Sequence, residues 1–110
     1  MGLRRVDGDF KLVPPTDVAR ARILDVPCLT PGVAAMTLGP LILLRRDHAG
    51  DEALLAHELV HVRQWRELGP ARFLWRYLGS YLRGRAAGLD HTAAYRAIPL
   101  EVEARELAGR

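Results

Sequence analysis

A chain of 110 residues holds enough sequence for one small domain, and a single domain over residues 1–110 is the expectation. Hydrophobic residues at 49% and charged residues at 26% exclude a disordered tail or a collagen-like repeat. The formal charge of +3 is modest, the longest notable apolar run (Leu41 to Leu44) is too short to cross a bilayer, and the lone Cys28 allows no internal disulfide.

The first thirty residues read as irregular, with Pro14-Pro15, Pro27 and Pro31 breaking any helix. Arg22 to Val26 alternates loosely, as a short strand does. Val33 to Leu38 and Leu41 to Arg45 are apolar runs around Gly39-Pro40, which predicts two strands and a turn. From Asp51 the period changes to that of a helix: Leu55, Leu59 and Val62 recur on one face, Asp51 and Glu52 supply negative charge at its start, and Gly69-Pro70 stops it. A second helix is predicted over 71–85, with Phe73, Leu74, Tyr77, Leu78, Tyr81 and Leu82 as a core-facing stripe and Arg72, Arg76 and Arg83 opposite. Such a basic amphipathic helix can also lie on a membrane surface. Gly84, Gly88 and Asp90 loosen the chain, and Pro99 suits the first turn of a last helix ending near Ala108. Strands followed by helices predict an α+β fold.

The chemistry is concentrated in His57-Glu58-Leu59-Val60-His61, an HExxH segment inside the first long helix. Spacing of i and i+4 puts both imidazoles on one face, one turn apart, so they can share a metal ion. Glu58 lies about 100° around the helix, beside the metal rather than on it, where a general base for metal-activated water belongs. With four His and six Glu in the chain, chance matches number about 0.01. Glu67, ten residues after His57, falls on the polar arc with Arg63 and Arg66 and reads as solvated, since Gln64 stands where a turn-back glycine would be needed.

On these residues the chain resembles the gluzincin branch of the zincin metallopeptidases, in which HExxH is completed by a glutamate from a later helix. Pro99-Leu100-Glu101-Val102-Glu103-Ala104-Arg105 carries the matching Glu-x-x-Ala pattern at Glu101 and Ala104, with Arg105 in place of the family's acid or amide. The resemblance spans roughly residues 49–108. It implies Zn2+ as the cofactor, His57, His61 and Glu101 as its ligands, and Glu58 as the catalytic base; Glu103 and then His91 are the next choices for the third ligand. It also implies a minimal zincin-like domain of short N-terminal strands, an active-site helix, a packing helix and a glutamate helix, without the subdomain that lines the cleft of larger peptidases.

The resulting expectation is a zinc metallopeptidase acting on peptide or protein substrates. Leu41 to Arg45 is a candidate to recruit peptide by strand addition, or else an ordinary core strand. His91, Tyr95 and Arg96 are the polar candidates to stabilise an oxyanion, with Tyr95 read mainly as packing, and Gln64 projects near the histidine face to orient a ligand. Trp65 and Trp75 read as core, and Cys28 as a small buried residue without chemistry. Two other classes stand beside the enzyme. One is a zinc-binding interaction module that hydrolyses nothing. The other is a basic module for an anionic partner, since seven Arg face only Glu67 and Asp90 between Arg63 and Arg96; no specific nucleic-acid motif accompanies them. The N-terminus has no apolar stretch behind its basic residues, so no secretory signal is expected and a cytoplasmic location is.

Overall fold

A computed structural model describes residues 2–109, so the two ends of the expected domain lie outside the described residues. The fold is α+β, with a four-stranded sheet and five α-helices among the described residues. The strands are β1 (Leu3–Arg5), β2 (Arg22–Val26), β3 (Ala35–Leu38) and β4 (Leu41–Arg45); the helices are α1 (Pro15–Arg20), α2 (Glu52–Leu68), α3 (Pro70–Ala86), α4 (His91–Arg96) and α5 (Pro99–Ala108).

Sheet order is β1-β2-β4-β3. β4 runs parallel to β2, with Ile42 opposite Ile23, and antiparallel to β3, with Ile42 opposite Thr37. Gly39, at φ +61°, makes the β3–β4 turn that a side chain would strain. Leu41–Arg45 is therefore paired on both sides: of the two roles expected for it, that of a core strand holds and strand addition does not, and the open edges of the sheet belong to β1 and β3. Inward residues Ile23, Ile42 and Leu44 pack on Leu55, Leu59 and Val62 of α2 to form the main core.

Helix α2 begins as the charges predict: the Asp51 carboxylate accepts a hydrogen bond from the Leu54 N–H at 3.1 Å. It ends at Gly69, whose φ of +81° turns the chain into Pro70 at the start of α3. Three elements fall where irregular chain was expected. Pro15 opens α1 instead of breaking it, because a first-turn residue has no helical acceptor for an N–H. β1 pairs antiparallel with β2, and Arg4 is bonded to Asp25 across that pair through both its Nε and its Nη2. Asp90 caps α4 by accepting from the Ala93 N–H at 2.8 Å. Gly84 does not loosen the chain. It lies within α3, where an added Cβ would meet Ala94 Cβ at 3.1 Å, so glycine allows α4 its close approach.

Helix α3 departs furthest from expectation. Of its apolar stripe only Phe73 is buried, whereas Leu74, Leu78 and Leu82 are exposed, as is Trp75. Two rows of apolar residues cannot both face a core that a single row already closes. Trp65 is part-buried and stacks on Phe73 at 4.4 Å. Cys28 is exposed, not buried.

Candidate metal centre

α2 is buried on two sides, which explains a helix rich in both aliphatic and histidine positions. At ~100° per residue, Leu55, Leu59 and Val62 form one face and His57, Val60, His61 and Gln64 the opposite one. The first face meets the sheet. The second meets α5, where Glu101 and Ala104 are buried, and α3 through Phe73.

This packing brings the candidate ligands together. Nε2 of His57 lies 2.9 Å from Glu101 Oε1, and Nε2 of His61 lies 3.0 Å from Glu101 Oε2. The imidazole centroids are 4.9 Å apart, and one ligand atom from each of the three residues falls within 4.8 Å of the others. All three residues are buried. Pro99 positions the carboxylate: it starts α5 at a point where Glu101 falls in the first turn and faces α2.

The donor set fits a metal ion. His61 Nε2 is fully buried and, although close to Glu101, has no aligned hydrogen bond. Its other nitrogen is accounted for, since Nδ1 lies 2.8 Å from Gln64 Oε1, the amide oxygen accepting from Nδ1–H. That bond fixes the tautomer whose Nε2 lone pair is available to a cation, the usual supporting arrangement for a metal-binding histidine. Gln64 is held in turn, its Nε2 donating to Leu100 O at 3.0 Å and to Glu103 Oε1 at 2.8 Å. Two imidazoles and one carboxylate suit a transition metal or zinc, not the all-oxygen cages of calcium and magnesium.

Glu103 thus serves one step back from the centre: it supports Gln64 and also approaches Arg63 at 3.4 Å. Glu67 is solvent-facing and paired with Arg63 at 3.3 Å, as its helical position predicts. His91 is remote, its Nδ1 paired with the Tyr81 hydroxyl at 2.9 Å on the surface.

Glu58 is buried between the two faces of α2. Its Oε2 accepts from the Thr37 hydroxyl at 2.6 Å, and the same hydroxyl lies 3.2 Å from the Glu58 carbonyl oxygen. Burial pushes the Glu58 carboxyl above the usual carboxylate range, against the opposing pull of His61, Thr37 and His57. Thr37 had no signal in the sequence: a lone threonine before a Gly-Pro turn resembles any strand residue. Its role follows from β3 lying under α2.

Tyr77 is the second residue that sequence reasoning missed. Its hydroxyl donates to Glu101 Oε2 at 2.6 Å, and burial together with the Glu101 charge raises its own pKa strongly. Burial alone would raise the Glu101 carboxyl, but bonding to His57 and His61 and the donor from Tyr77 hold it well below the usual range. Tyr95 lies close enough for burial and the Glu101 charge to raise its hydroxyl too. Of the three polar candidates before α5, Tyr95 is therefore the one whose hydroxyl the Glu101 charge reaches. Arg96 contributes its carbonyl to Arg105 instead, at 2.5 Å.

The eCIS core domain, a family model, matches residues 19–69. That segment runs from the end of α1 through β2, β3 and β4 to the Gly69 stop of α2. It includes Thr37, His57, Glu58, His61 and Gln64, and ends before Tyr77 and Glu101. The chain is thus similar to the eCIS core, a component of extracellular contractile injection systems, over three of its strands and the HExxH helix. Neither a curated protein nor a solved structure matches the chain.

Proposed function

We propose that this chain is a minimal zinc metallopeptidase in which His57, His61 and Glu101 hold Zn2+ and Glu58 is the general base. The observation that carries the proposal is the convergence of two imidazoles and a distant carboxylate beside a second, buried carboxylate that coordinates nothing. A zinc ion at this position supplies Lewis-acid polarisation of water and of a peptide carbonyl. Glu58, with its raised proton affinity, takes a proton from the attacking water and passes it to the departing amine. Thr37 holds one oxygen of that carboxylate, leaving Oε1 to handle the proton. Tyr77 orients Glu101, and the Gln64–Glu103 pair orients His61. The open edge of β3, where Met36 and Leu38 are exposed, is the place for an extended peptide to pair. The eCIS core match suggests a contractile injection system as the setting.

Zinc-loaded protein incubated with an unstructured polypeptide is expected to yield cleavage products that a chelator abolishes and added zinc restores. Intact substrate at full zinc occupancy would contradict peptidase activity. A second reading has a specific observation in its favour: the ligands and Glu58 are all buried, as in a site that stabilises a small domain. Glu58 distinguishes the two readings, since a stabilising site has no use for a base.

Two expectations arise from the supporting bonds. Gln64→Leu removes the acceptor for His61 Nδ1 and is expected to weaken zinc about 10- to 100-fold in a competition titration, with stoichiometry unchanged. The second concerns pH in the metal-free protein. Although burial disfavours charge on His61, the Glu101 carboxylate 3.0 Å from its Nε2 raises its pKa above the ordinary 6.5. That contribution to stability is complete below about pH 6.5 and is lost as pH rises through the folded value. Glu58, also raised, acts in the same direction, whereas Glu101, lowered, withdraws its contribution only as pH falls below the ordinary carboxylate range. The chelated protein is therefore expected to melt lower at about pH 8.5 than at about pH 6, and the gain from zinc to grow over the same interval as His61 deprotonates. Melting curves with and without chelator check both statements.

A further inference from the structure

α3 carries an exposed face that the metal centre does not use. Leu74 is 43% exposed, Trp75 83%, Leu78 54% and Leu82 63%, and at helical spacing these four lie within about 100° of one another. Arg72, Arg76 and Arg83 form the adjoining row, and Arg85 lies at the C-terminal end of the apolar arc itself. The helix contains no acidic residue. Among the described residues, none of these four arginines takes part in an ion pair, unlike Arg63 and Arg66 on α2. Ala71, Arg72, Trp75 and Arg76 line a shallow notch.

We propose that α3 is an interfacial helix that seats this domain on an anionic phospholipid surface. The apolar row enters the boundary between headgroups and acyl chains, with Trp75 at the level where indoles favour a half-wet setting. The arginines lie alongside and reach lipid phosphates while their stems stay over the apolar face. Charge selects this occupant over a second copy of the chain. Face-to-face pairing of two α3 helices would bring eight arginines together without an acidic counterpart on either helix. No described helix is long and apolar enough to cross a membrane, so α3 lies on the surface instead of spanning it. The proposal does not depend on the metal centre, whose residues occupy other faces.

The test uses the full chain, zinc-loaded and chelated, with vesicles of phosphatidylcholine alone or with about one third phosphatidylglycerol. Both forms are expected to sediment with the anionic vesicles and not the neutral ones, with at least about tenfold weaker binding in 0.5 M NaCl. Tryptophan emission is expected to shift to the blue on binding, and Trp75→Phe to remove the shift. The double variant Leu78→Ser, Leu82→Ser alters only exposed positions, so its circular dichroism should be unchanged while anionic-vesicle binding falls at least about tenfold. Failure to bind anionic vesicles, equal binding to neutral ones, or undiminished binding by the double variant would overturn the proposal. So would self-association in sedimentation equilibrium that the double variant abolishes, which would assign the face to a second copy.

Discussion

Replacing Glu101 by Gln is expected to abolish the proposed zinc binding. Among the described residues, the Glu101 carboxylate is the only acidic group that meets both imidazoles. Removing a group that merely orients a ligand typically costs 10- to 100-fold in metal affinity, so losing the ligand itself should cost more than about 100-fold. His57→Ala and His61→Ala should behave alike. Glu103→Gln separates the two candidate carboxylates. It weakens the support of Gln64 but leaves all three donors in place, so it should keep one zinc per chain at reduced affinity. Titration with a chromophoric competitor measures all four variants. Equal loss for Glu101→Gln and Glu103→Gln, or no loss in either, contradicts the ligand assignment. Folding has to be followed in parallel, because Glu101→Gln also takes the acceptor from Tyr77 and removes the charge that faces His61.

The second large effect concerns Glu58→Gln. The substitution keeps volume and can still bond to Thr37, but it cannot take up a proton. General acid–base catalysis typically contributes 10²- to 10⁴-fold, so kcat should fall by about that factor with zinc content unchanged. Thr37→Val offers a graded comparison, since it removes one hydrogen bond and leaves the carboxylate in place. A metal site with a purely structural role predicts no change in either variant beyond a small shift in melting temperature. Cleavage that survives Glu58→Gln would remove the base from the proposal and leave the metal.

Much of this was legible from residue spacing, for a physical reason. The i and i+4 histidines, the Asp51 cap and the Gly69-Pro70 stop are local features, governed by helix geometry alone. Glu101 was reached only through the resemblance, but Pro99 correctly marked the start of the helix that carries it. Gln64 was legible because it lies one turn beyond His61. Thr37 and Tyr77 were not, because each depends on how two separate elements dock: β3 beneath α2, and α3 against α5. The amphipathic pattern of α3 misled for the converse reason. A hydrophobic stripe records that apolar residues are aligned, not that something covers them, and the core closes over Phe73 while Leu74, Leu78 and Leu82 stay outside. The N-terminal prolines misled as well, since Pro15 marks the opening of α1 and not the absence of a helix.

X-ray absorption at the zinc edge of the loaded protein reads the identity of the ligands themselves. The account predicts one zinc per chain with a first shell of nitrogen and oxygen at about 2.0–2.2 Å, two of the scatterers showing the multiple-scattering pattern of imidazole. The pattern should shrink to one imidazole in any His57→Ala or His61→Ala protein that retains metal. A sulfur scatterer at about 2.3 Å would instead place the ion at the exposed Cys28, and an all-oxygen shell would place it on surface carboxylates; either result would contradict the shared centre.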